Sequence, residues 1–89
     1  MHSLVISLSI FFLSLYYEKD INIKGKEDQA PIHLAAKYNA IDGLRELIAN
    51  KADINARNQF GLTPLHFTSR RNFEQATKVI LLNFVKIIV

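Results

Sequence analysis

Two histidines invite a chemical reading first. His33 and His66 stand 33 positions apart, each two residues after a proline, in "PIH" and "PLH". Imidazole serves as a metal ligand or a general base, and either role needs further donors converging on it. No third candidate lies near either ring in sequence, and His2 has no context at all. Asp28, Asp42 and Glu46 are the other groups with chemical potential. Asp42 opens an expected helix, where its charge suits the dipole, and Glu46 lies one turn later beside Asn50. The three glycines, Gly25, Gly43 and Gly61, are scattered, so they form no phosphate-binding loop. These residues predict no catalytic, cofactor-binding or metal site.

The spacing itself is the stronger signal. Asp20, Ile21, Asn22, Pro31 and His33 recur 33 positions later as Asp53, Ile54, Asn55, Pro64 and His66. A period of that length marks stacked supersecondary units. Thr63-Pro64 is a helix start, because Thr caps orphan N–H groups and Pro at the first position has no N–H to leave unpaired. That helix stops near Asn72. Pro31 opens its counterpart, with Ala30 where Thr63 stands, so one cap is missing at a cost of about 1 kcal/mol. Asn39 and Asn72 suit the left-handed conformation of a tight turn between helices. A second helix follows over about Ile41–Asn50, with Ile41, Leu44, Leu47 and Ile48 on one apolar stripe. Asp53 to Gly61 is polar and turn-rich, and reads as an extended, hairpin-like connection.

"PIHLAA", "ADINARNQFGLTPLHF" and the period together resemble the ankyrin repeat, over roughly residues 20–72. The resemblance implies an all-α solenoid of helix-turn-helix units joined by extended hairpin-like fingers. About two full repeats, near 27–59 and 60–89, follow a partial one whose tail is Asp20-Ile21-Asn22. It also implies a structural role for His33 and His66, their rings hydrogen-bonding the backbone of a neighbouring turn. The chain departs from the family pattern in places. Lys51 replaces the usual glycine after the second helix, which costs something in a left-handed position. Gly43 and Glu46 take positions usually aliphatic. Phe67, Thr68 and Ser69 replace Leu-Ala-Ala, which predicts looser packing of the second repeat.

Ankyrin-type arrays bind proteins through finger tips and first helices. Carried across by phase, the contact positions are Lys26, Glu27, Gln29, Lys37 and Tyr38, then Gln59, Phe60, Leu62, Arg70 and Arg71. Phe60 and Leu62 are apolar on a polar finger, and Tyr38 with the arginine pair are types enriched at hot spots. The implied partner is another protein of acidic character, bound without catalysis or cofactor.

The totals bound the rest. At 89 residues the chain makes one small domain, 49% apolar and 21% charged, with net charge +3. Cations and anions interleave, and only Arg70-Arg71 are adjacent, which argues against a nucleic-acid stripe. Absence of cysteine excludes disulfides and thiolate metal sites, and leaves the compartment open with a lean towards the cytoplasm. Two apolar ends stand out. Leu4–Tyr17 is uncharged over 14 residues, short of the roughly 20 a spanning helix needs. Residues 1–19 therefore read either as the second helix of a preceding repeat or as a signal-like or membrane-surface segment. Residues 76–89 carry only two charges, Lys78 and Lys86, in a largely apolar tail where the repeat motif is lost. These ends support two alternatives to a binding module. One is a secreted or membrane-associated toxin or effector built on repeats, and the other is a truncated repeat fragment without independent function.

Overall fold

The computed structural model describes residues 21–88, with side chains through Val85. Its elements are a short 3-10 turn at Lys26–Asp28 and four helices: α1 (Pro31–Lys37), α2 (Ile41–Ala49), α3 (Pro64–Arg70) and α4 (Glu74–Ile88). The helices pair as α1 with α2 and α3 with α4, and the pairs stack, α1 on α3 and α2 on α4. One finger, residues 50–63, joins the pairs. No strand forms among the described residues.

Each helix begins and ends where local chemistry dictates. Pro64 opens α3 behind Thr63, whose side chain accepts the His66 N–H at 3.4 Å. Ala30 has no such acceptor, and at α1 the only side-chain contribution to the cap is the histidine ring reaching back, with Ala30 N–H donating to His33 Nδ1 at 2.9 Å. The C-terminal ends of α1, α2 and α3 share one device. Ala40 N–H donates to Ala35 O, Ala52 N–H to Leu47 O and Phe73 N–H to Thr68 O, each at 2.9 Å. This six-residue closure requires a left-handed residue one step before the donor. Asn39 (φ 55°), Lys51 (φ 67°) and Asn72 (φ 59°) supply it, at the three positions the sequence marked.

Lys51 carries the cost of that geometry, because its Cβ crowds the following carbonyl. Lys51→Gly is therefore expected to raise stability by about 1 kcal/mol, and Tm by about 5 °C. A thermal melt followed by circular dichroism checks this, and an unchanged or lower midpoint would contradict it. One repeat on, Lys51 corresponds to Phe84, for which a left-handed conformation is costlier still. The stop signal is absent there. Accordingly α4 runs for 15 residues where α2 has 9.

The core lies where the two pairs meet. Ile32, Leu44 and Ile80 are fully buried, together with Ala30, Ala36 and Ala76. Each large aliphatic contributes about 1.5–3 kcal/mol by leaving water. The small residues Ala35 and Ala36 let α1 and α3 lie close together. Thr68 is fully buried as well, and its hydroxyl donates to Leu65 O at 3.3 Å. Looser packing at Phe67-Thr68-Ser69 was expected. Instead Thr68 fits with its polar group satisfied inside the helix, and only Ser69 is exposed. Phe67 meets the His33 ring edge-on, with centroids 6.0 Å apart and planes at 80°. Along the finger Ala52, Ile54, Ala56 and Asn58 are buried and the residues between them exposed, and the expected extended run is broken by a turn that Ala56 N–H closes onto Asp53 O at 3.1 Å. The apolar stretch Leu4–Tyr17 lies outside the described residues.

Candidate protein-binding surface

His33 sets the frame on which the surface is built. Its Nδ1 accepts from Ala30 N–H, so the ring proton is on Nε2, which faces Ala56 O and Leu62 O, each at 2.9 Å. One fully buried side chain thus ties the start of α1 to both limbs of the next finger. His66 repeats only half of this. Its Nδ1 accepts from Thr63 N–H at 2.9 Å, and the ring is exposed. The His33 ring is spent on backbone at both nitrogens and the His66 ring is engaged at Nδ1 by Thr63, and no group of three or more metal-binding side chains occurs among the described residues.

Asn58 shapes the finger tip. Its Oδ1 accepts from Phe60 N–H and Leu62 N–H, both at 2.9 Å, and its Nδ2 donates to Gln29 Oε1 at 3.3 Å. Gly61 takes φ 77° to complete the turn. Neighbouring fingers are further stitched by Gln59 N–H to Glu27 O at 3.0 Å and by Lys24 Nζ to Arg57 O at 2.6 Å. Asn58 lies within the turn-rich stretch Asp53 to Gly61. The signal for more was present, since Asn side chains in turns accept from the backbone N–H two residues on, as Asn58 does from Phe60.

The ten sequence-derived contact residues divide accordingly. Lys26, Glu27, Gln59 and Phe60 are exposed along the finger tips. Lys37, Tyr38, Arg70 and Arg71 gather where α1 and α3 end. There Lys37 Nζ lies 5.6 Å from the Tyr38 ring centroid, and Arg71 Nη1 donates to Lys37 O at 3.4 Å. Leu62 and Gln29 depart from expectation. Leu62 is half-buried, not an exposed apolar residue, because its N–H and carbonyl are held by Asn58 and His33. Gln29 is half-buried with its amide oxygen committed to Asn58. Phe60, by contrast, is 62% exposed and Tyr38 69%.

Stacked helix pairs joined by an inward-edged finger and locked by a proline-spaced histidine define a helical repeat protein of the solenoid class. A family model described as "Ankyrin repeats (many copies)" matches residues 15–67, and the chain belongs to that family. It is similar to the NF-kappa-B inhibitor cactus of Drosophila melanogaster, with 46% identity over 48 residues, 53% of this chain and 10% of that protein. It is also similar to the human transient receptor potential cation channel subfamily A member 1, with 27% identity over 70 residues, 75% of this chain and 6% of the channel. A third relative is the tyrosine-protein kinase Shark of Drosophila melanogaster, with 33% identity over 52 residues, 58% of this chain and 6% of the kinase. The chain thus spans a small part of each relative. Ankyrin repeats are generally protein–protein interaction modules and generally non-catalytic. Among the described residues no helix is long and apolar enough to cross a membrane.

Proposed function

We propose that this chain is a non-catalytic binding module that grips another protein along its finger tips and the ends of its first helices. The contact set is Lys26, Glu27, Gln29, Lys37, Tyr38, Gln59, Phe60, Leu62, Arg70 and Arg71, with Gln29 and Leu62 contributing through the finger conformation they hold. Repeat boundaries near 27–59 and 60–89 place one helix pair in each unit, with residues 1–19 ahead of them. The observation that carries the reading is Phe60, a large aromatic 62% exposed at the tip of a finger. Its turn is fixed by Asn58, so the ring is presented on a rigid support. Preorganised aromatics of this kind concentrate binding energy because little conformational freedom is lost on contact.

The test is capture of partners by the intact chain and by a Phe60→Ala, Arg70→Ala, Arg71→Ala variant. All three side chains are exposed, so folding should survive, as a thermal melt would show. Loss of an aromatic anchor and two charges is expected to weaken capture by about 100-fold. Undiminished recovery would remove the surface. The secreted or membrane-associated reading rests on the two apolar ends, of which Leu4–Tyr17 lies outside the described residues and residues 76–89 expose Leu81, Leu82 and Val85.

A further inference from the structure

We infer that the ends of α1 and α3 form a site for an extended, acidic segment of a partner protein, with carboxylates about three residues apart. This rests on the reading of the first helices as a partner surface. Lys37 and Arg70 occupy the same place in successive repeats, one at the last turn of each first helix. Adjacent packed helices lie about 8–10 Å apart, so the backbone positions that carry these two cations repeat at about that spacing. An extended or polyproline-like chain rises about 3.1–3.4 Å per residue, which sets every third side chain about 9–10 Å from the last. The two periods coincide.

Among the described residues the charges at this site meet no carboxylate within ion-pair distance. No ion pair forms between described side chains, although acidic residues are present throughout the sequence. A cation at a helix C-terminus is favourable in itself, and Lys37 and Arg70 gain from that position. Arg71 is not needed for it. Its guanidinium instead bridges the repeats by one N–H to Lys37 O, which leaves other donors of the fork for a carboxylate. The Tyr38 ring, with Lys37 beside it, adds an exposed apolar face for the stem of the bound residue. Holding Arg71 in place beforehand reduces the side-chain ordering that binding would otherwise require.

Fluorescence anisotropy of the full chain against a dye-labelled peptide of about four Glu-Ser-Pro repeats tests this, since that peptide places carboxylates at the stated period. Binding should weaken about tenfold or more when Gln replaces Glu, and by a similar factor in Lys37→Ala, Arg70→Ala, Arg71→Ala. A variant lacking the exposed cations Arg45, Lys51 and Lys78 should bind as the intact chain does. Equal binding of the Gln peptide, or equal loss in both triple variants, overturns the proposal. So does tighter binding of an oligothymidylate of matched charge, which would mean that the site reads phosphate. If the peptide fails while Phe60→Ala still reduces partner capture, the acidic class falls alone. If neither responds, the binding surface falls with it.

Discussion

Replacing His33 with alanine is expected to cost about 3–5 kcal/mol, whereas the same change at His66 should cost about 1 kcal/mol or less. The two histidines occupy one place in the repeat, so the difference isolates what their surroundings do. His33 is fully buried, and its removal orphans Ala30 N–H while taking one partner from Ala56 O and Leu62 O. Unsatisfied buried groups cost about 1–3 kcal/mol each, and the missing ring adds a cavity beside Phe67. At His66 the lost acceptor is exposed, and water replaces it at Thr63 N–H. A domain of this size holds roughly 4–13 kcal/mol in total. His33→Ala therefore removes much of the stability, and His66→Ala leaves most of it. Urea titration followed by circular dichroism measures both, and equal midpoints would show that the ring does not join the repeats.

That pair also shows what the sequence discloses and what it conceals. The helix starts were legible because Pro and Thr act locally, and the left-handed turns because Asn39, Lys51 and Asn72 sit one repeat or one helix end from each other in register. The same letters at His33 and His66 gave no hint of their unequal burial, which depends on a following finger and not on local chemistry. Leu62 is half-buried for a related reason. Its side-chain type suggested an exposed apolar residue, but the hydrogen bonds that turn it inward come from Asn58 and His33. Residues 27 and 28 were illegible too. Glu27 and Asp28 take φ 60° and 58°, where the second finger has Gly61 at the place of Asp28. The first finger reaches a similar turn through a sequence that does not favour it.

The last described helix, α4, is the place where sequence and structure diverge most, and a core substitution there tests the architecture directly. Ile80→Ala is expected to cost about 3 kcal/mol, and Leu81→Ala less than about 1 kcal/mol. The two residues are neighbours on α4 and similar in size, so helix propensity and chain position are nearly matched. Ile80 is fully buried in the cluster that contains Leu44, Ile54 and Ala76, whereas Leu81 is 46% exposed. The repeat motif fades in this segment, and nothing in "ATKVILLNFVKIIV" announces which aliphatic faces inward. The stack decides it. If α4 lies against α2 as the second helix of a true repeat, its stripe of Ala76 and Ile80 must close the core. Losing three carbons from Ile80 then opens a cavity that rigid neighbours cannot fill. If α4 were an appendage on a one-repeat core, both alanine variants would shift the urea midpoint by similar small amounts. Chemical denaturation of the two variants separates these cases, with an unchanged denaturant slope required for the comparison.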